Sequence, residues 1–275
     1  MTGGRAVAVR GMALVAVLWM LAALSGAALG LSAWVRGEAR QSQADVVRLQ
    51  ALAAAQSALV HVLAIESETG ASPSARRRWQ GSIQDLPVQV DWTSAYAAID
   101  INRAPQDLLQ AAFRHGVGLP ADLAARWAGA IVRARDDPAL AGRSAYDGVE
   151  DLLSRAGLPF AVWIAAQAFF TVDSDDAAVD PQAVDDELLI VLAQGDAARA
   201  AAYARARSTG APWDLSAIPG AWIRQAPGDR WRVVARVQAD GGTLEVVWVV
   251  APNPSAGDGY PWRLLRQAVR WIPSG

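Results

Sequence analysis

Six aspartates crowd one stretch of this chain: Asp173, Asp175, Asp176, Asp180, Asp185 and Asp186, within FFTVDSDDAAVDPQAVDDE, Phe169 to Glu187. Carboxylates alternating along a loop can supply the roughly six to eight oxygens that Ca²⁺ prefers, which makes Asp173, Asp175, Asp176 and Asp180 candidate calcium ligands. The loop is not an EF-hand, because counting from Asp173 or from Asp175 neither Gly at the sixth place nor Glu at the twelfth is found. The alternative use of these residues is structural: solvated charge and helix caps, such as Asp180 before Pro181.

Other chemistry finds few parts. The only histidines are His61 and His115 and there is no cysteine, so no Ser/His/Asp triad, thiolate nucleophile or Cys/His zinc site can be assembled. A Gly-Lys-Ser/Thr phosphate loop is missing as well. The chain reads as a building block and not as an enzyme. A net charge of −2 and a pI of about 5.7 argue against a generally basic nucleic-acid surface. All 25 basic residues are arginine, which reads as coding bias.

The element that must position everything else lies near the N-terminus. From Met12 to Val35 the chain has 24 residues (35 − 12 + 1) without a charged side chain, between Arg10 and Arg36. As a helix this segment reaches roughly 36 Å, enough to cross a hydrocarbon core of about 30 Å. It is too long for the apolar core of a signal peptide. Arg5 and Arg10 in the short leader favour a cytoplasmic N-terminus and translocation of the long domain that follows. Beyond it, Gln41 to Glu66 is Ala-rich with apolar Val46, Leu49, Leu52, Leu59, Val60 and Leu63 at helical spacing, which predicts one helix of about 50 residues packing on a globular head. His61 falls on its apolar face.

Glu68 to Gln80 combines Gly, Ser and Pro with the triplet Arg76 to Arg78 and predicts a surface loop or short helix. Leu86–Trp92 and Tyr96–Ile101 read as strands joined in a hairpin at Thr93-Ser94. Helices are expected over Pro105–Arg114, Pro120–Arg135, Tyr146–Ala156 and Leu158–Phe169, with Leu108, Leu109, Phe113, Leu123, Trp127, Ile131 and Val132 on a buried face. A further helix follows Gly195, with Arg199, Arg205 and Arg207 as a solvated face. Strands at Arg230–Ala239 and Thr243–Pro252, turning at Asp240-Gly241-Gly242, and at Trp262–Trp271 complete a sheet begun before the helices. The fold class is α+β, an antiparallel sheet interrupted by a large helical insertion.

The junction Arg10-Gly11-Met12-Ala13-Leu14 resembles the substrate site of a prepilin peptidase, which cuts after the glycine. The resemblance implies cleavage between Gly11 and Met12 and N-methylation of Met12. Pilins mostly carry Phe at the first mature position and Glu at the fifth; here those places hold Met12 and Ala16. A subunit without that Glu resembles the K-type minor pseudopilins of type II secretion systems. These carry a helical insertion, similar to SAM or helix-hairpin-helix domains, introduced by a motif that matches Asn102-Arg103-Ala104-Pro105-Gln106-Asp107-Leu108. A second copy stands 80 residues on (180 − 100), with DINRAPQDLL from Asp100 over DPQAVDDELL from Asp180.

From this resemblance the chain divides into a leader (1–11), a transmembrane segment (12–35), the periplasmic half-helix with the first strands (36–101), the helical insertion (102–218) and the remaining strands (219–275). The resemblance implies a single-pass inner-membrane protein with its C-terminal domain in the periplasm. It implies assembly with the I and J minor pseudopilins at the pseudopilus tip, contact with the inner-membrane assembly platform and with lipid, and calcium binding in the helical domain. The rival reading is a membrane-anchored helix-hairpin-helix DNA-uptake protein, from Gly116-Val117-Gly118 and its flanks. Nucleic acid is disfavoured because no basic residue lies between Gly116 and Ala125, where Asp122 is acidic.

Overall fold

The structure is a computed structural model that describes residues 6–69, 76–140, 143–226, 228–255 and 261–274; inside the first helix, the side chains of 6–16, 26–33, 35–37, 39–40 and 67–69 lie outside the description. The chain forms two units, Met1–Ala53 and Ala54–Gly275.

Helix α1 (Ala6–Thr69) spans 64 residues and contributes to both units. In the first unit Val17, Leu18, Trp19, Met20 and Leu21 are all more than half exposed. Five consecutive residues of a helix point to every side of it, and a helix that is apolar all round suits hydrocarbon better than water. In the second unit α1 buries Ala54, Ala55, Ala58, Val62, Leu63 and Glu66, a spacing that falls on one helical face. This corrects the expected packing face. Of the larger residues assigned to it, Leu63 is buried and Leu52 and Leu59 are half-buried, whereas Val46, Leu49 and Val60 are 48%, 65% and 51% exposed. Alanine methyls make up much of the buried face and let the helix backbone approach its neighbours closely, while Val46, Leu49 and Val60 are turned outward. His61 is exposed too and meets Trp79 edge-on, with ring centroids 5.2 Å apart.

Strands β1 (Arg77–Ile83) and β2 (Leu86–Ser94) form the first hairpin, so strand begins inside the arginine triplet where a loop was expected. The turn is Gln84-Asp85, both at positive φ (52° and 65°), a two-residue connection whose twist suits a hairpin even without glycine. The expected hairpin at Thr93-Ser94 does not form. Ser94 instead accepts a hydrogen bond from the Tyr96 amide and starts a short 3-10 turn, after which β3 (Ile99–Asp100) leaves the sheet.

Helix α2 (Gln106–Ala111) continues as a π-helical turn to Gly116, and α3 (Ala121–Arg135) begins after Gly118, at φ +81°, and Pro120. Helix α4 (Asp151–Ser154) is shorter than predicted. The reason lies far away in sequence: the Asn102 side-chain amide accepts from the Tyr146 N–H (3.0 Å) and donates to its carbonyl (2.9 Å), holding that backbone out of a helix. Next come α5 (Phe160–Ala166), β4 (Phe170–Thr171), α6 (Asp186–Leu192) and α7 (Ala197–Thr209), the last capped by Asp196. The chain then returns to the sheet through β5 (Trp231–Ala239), β6 (Gly242–Pro252) and β7 (Trp262–Pro273). The sheet is antiparallel in the order β1-β2-β5-β6-β7, so β5 pairs with β2 across the whole insertion.

The insertion has its own core, in which Leu108, Leu109, Phe113, Ile131, Leu152, Leu188, Leu189 and Leu192 are fully buried. Leu123, expected in it, is 36% exposed. The 80-residue offset is a structural repeat. Asp100 Oδ1 accepts from the Asn102 amide (2.8 Å) and Asp180 Oδ1 from the Gln182 amide (2.9 Å). The Asp100 carbonyl then receives the Arg103 and Ala104 amides, and the Asp180 carbonyl those of Ala183 and Val184. Each turn leads into a helix that buries a Leu-Leu pair, Leu108-Leu109 and Leu188-Leu189. The first copy opens on β3, parallel to β4, and the second on Val179, which bridges in parallel to Ile223.

Candidate functional site

The acidic stretch lies between β4 and α6, and its parts serve different ends. Asp180 and Asp185 are caps: Asp180 holds the second repeat turn, and Asp185 accepts from the Leu188 amide at the start of α6 (2.8 Å). Burial pushes the carboxyls of both above the usual aspartate range. Asp186 pairs with Arg207, which also donates to the Val184 carbonyl, so Arg207 is not part of a purely solvated face.

Asp173, Asp175 and Asp176 meet arginines. Asp173, only 7% exposed at its side chain, lies 2.6 Å from Arg266 of β7 and 3.7 Å from Arg232 of β5. Asp175 lies 2.8 Å from Arg103, after β3, and 3.5 Å from Arg230. Asp176 pairs with Arg224 through one oxygen and accepts the Ala178 amide (2.9 Å) on the other. Behind them, buried Asp100 accepts from Ser174 Oγ (3.1 Å) and the Asp175 amide (2.8 Å) on its second oxygen. Burial raises the Asp100 carboxyl above its ordinary pKa, against the pull of those donors.

As placed, these carboxylates are turned toward guanidinium and amide groups. All six carboxylate oxygens of Asp173, Asp175 and Asp176 already face an N–H donor, and the surrounding guanidinium charge offsets the carboxylates. Among the described residues no group of three or more His, Asp or Glu side chains is placed to hold one metal ion. A cleft of roughly 1200 Å³ opens between the outer sheet face and the insertion, lined by Trp163, Arg207, Arg232, Glu245 and Arg266 among others, with no histidine.

At the hairpin read as a possible phosphate grip, the first turn of α3 carries Asp122, and Arg126 lies over the Trp127 ring at 5.2 Å. Burial and the Arg114 charge lower the His115 pKa, so near neutrality this side chain adds little positive charge. Gly11 and Met12 sit in the backbone of α1, and their side chains fall outside the described residues.

The strongest surface feature is α1 itself, with Leu49 and Val60 turned out on the helix whose far end is anchored to the sheet. That anchor is Glu66, buried, which accepts from Arg77 Nη1 (2.7 Å) and Trp92 Nε1 (3.0 Å). Gln41–Glu66 is apolar and long enough to cross a membrane by composition, but a third of its most apolar window is buried and it ends on this buried carboxylate.

No family model and no curated protein matches the chain. A long helix, a split antiparallel sheet and a helical insertion do have a counterpart among solved structures. The chain is similar to a chain of the GspK-GspI-GspJ complex of the type 2 secretion system from enterotoxigenic Escherichia coli. The TM-score is 0.60 at 13% identity, covering 84% of this chain and 99% of that one. The fold is GspK-like. At that identity the likeness is one of architecture, which agrees with the α+β, pilin-like class read from the sequence.

Proposed function

We propose that this protein is a minor pseudopilin that joins two other minor pseudopilins, of the I and J kinds, at the tip of a type II secretion pseudopilus. It acts there as a structural, non-catalytic component that starts and caps the fibre during protein export. The observation that carries this reading is the similarity of fold to a chain from the GspK-GspI-GspJ complex, nearly end to end for that chain. The outward side chains of α1 support it, since exposed Leu49 and Val60 are what helix-against-helix assembly requires, at about 25 cal/mol for each Å² removed from water.

In this reading prepilin peptidase cuts between Gly11 and Met12 on the cytoplasmic side and Met12 becomes the methylated N-terminus. The apolar segment keeps the subunit in the inner membrane with its sheet and insertion in the periplasm. Because Ala16 stands where other pilins have Glu, the subunit has no acid to pair with the N-terminal amine of one ahead, consistent with first place in the fibre.

The test is co-expression of the full-length chain with the I and J subunits and an active prepilin peptidase. The expected result is a ternary complex that survives purification, with a chain that begins at Met12. Leu49→Arg and Val60→Arg should abolish it while leaving the chain folded. No complex, together with tight salt-sensitive DNA binding, would replace this reading with the helix-hairpin-helix one.

A further inference from the structure

We propose that the segment Asp173–Asp176 is a metal-independent latch, in which five arginines occupy the electrostatic role that a divalent cation would otherwise fill. The latch rests on side-chain geometry alone and is independent of the secretion role.

Asp175 is met from both directions along the chain, and Asp173 and Asp176 by arginines that follow in sequence. Arg103 reaches Asp175 from the start of the insertion, where its Nε and Nη2 both lie 2.8 Å from Oδ1. Arg224 and Arg230 come from the connection back to the sheet, and Arg230 also donates to the Ser174 carbonyl (3.0 Å). Arg232 and Arg266 come from the sheet strands β5 and β7. The segment therefore ties the middle of the insertion to the sheet through Asp173, and Asp100 ties the start of the insertion to the same segment. With Asp100 counted, four carboxylates stand against five guanidiniums, so the arginines offset the carboxylate charge that would draw in a cation. A Ca²⁺ ion would need most of the six oxygens of Asp173, Asp175 and Asp176, five of which accept a hydrogen bond and the sixth of which lies 3.7 Å from Arg232, and it would have to displace fixed charges of its own sign. Arginine is well matched to this role, since its planar fork can meet a carboxylate through two N–H groups and it does not lose its proton at any pH the protein meets.

The experiment is thermal unfolding of the full-length chain in detergent micelles, with calcium chloride or with a chelator. For the wild type the latch requires the same Tm in both. Asp175→Asn should lower Tm by about 2–4 °C whether or not calcium is present, the size expected for loss of partly exposed ion pairs in a domain of this length. Arg103→Gln should also lower it. A calcium site gives the opposite pattern: calcium raises the wild-type Tm, Asp175→Asn matters only with calcium, and Arg103→Gln, which removes a competing cation, strengthens the calcium response. That pattern would overturn the proposal. If Asp175→Asn fails to fold, the wild-type comparison and Arg103→Gln still decide.

Discussion

Arg236 Nη1 lies 2.9 Å from Asp91 Oδ2 across the junction where β5, on its return from the insertion, meets β2. The same guanidinium reaches Glu245 of β6 at 2.9 Å through Nε. Asp91 is also held by Arg78 of β1 (2.6 Å) and Glu245 by Arg270 of β7 (2.8 Å). Five side chains of alternating charge thus cross all five strands, with the carboxylates inside the row and arginines at both ends. For Asp91 the burial that would raise its pKa is overcome by hydrogen bonds from Arg78 and Gln89 and by the charges of Arg78 and Arg236, leaving the carboxyl below its usual range.

Arg236→Met should therefore destabilise the second unit by about 1–2 kcal/mol in urea unfolding, since each carboxylate keeps one partner and loses the other. Asp91 also gives the row a pH dependence of definite sign. Its stabilisation is present above the unfolded aspartate pKa and is lost as pH falls through the lower folded value, so the penalty for Arg236→Met should shrink in acid. An equal penalty at acid and neutral pH would contradict this.

Glu66 is the link by which α1 holds β1 and β2. Glu66→Ala leaves Arg77 and the Trp92 indole N–H without the acceptor they share. A loss of about 2–3 kcal/mol is expected, toward the low end for a buried pair because Arg77 is 32% exposed. Amide exchange should speed up first in β1, the edge strand. Unchanged exchange in β1 would show that the hairpin is held by other contacts.

Within the insertion, Leu109→Ala and Leu189→Ala should each cost about 2–5 kcal/mol, as they empty equivalent fully buried positions of the two repeat copies. Leu123→Ala should cost less, about 1 kcal/mol, because that side chain is 36% exposed. Comparable losses at Leu123 and Leu109 would restore the pattern-based assignment of Leu123 to the core.

Tyr96 donates to Asp229 (2.6 Å) under the Arg224 guanidinium, and burial followed by that hydrogen bond pushes its phenol up to about 12. Tyr146, buried and donating to the Ile131 carbonyl, is also pushed up to about 12 by burial. Between the ordinary tyrosine value of 10.0 and these values the folded chain keeps protons that the unfolded chain has lost. Stability is thus intact below that range and falls as pH rises through it. Tyrosinate absorbance should show both phenols silent in the folded protein until about pH 12, and native-state titration near 10 would refute this.

Local signals carried much of the fold. Alternation and Asp240-Gly241 mark β5 and β6, and the recurrence of Asp100 at Asp180 marks two copies of one turn. What they missed lies in pairings between distant residues. Strand β1 hides in an arginine triplet because only its partner β2 shows what Arg77 and Arg78 face, and Gln84-Asp85 lacks the glycine that usually announces such a turn. Helix α4 is cut short by Asn102, 44 residues upstream. The acidic stretch leaves a cation site and structural charge both open in sequence, because its contacts with Arg103 and Arg266 join residues 72 and 93 positions apart. On α1 the periodicity was right and the face only in part, since Leu63, Leu52 and Leu59 turn inward and Val46, Leu49 and Val60 outward, and apolar spacing cannot say how far alanine shares the buried side.

The charge row has an odd number of members, and that parity decides how the sheet's rims meet other molecules. Arg78 and Arg270, 59% and 70% exposed, stand at opposite borders, so two copies drifting together rim to rim would set cation against cation before any backbone could zip. A chain with unpaired strands on both flanks thereby resists growing into ribbons of itself.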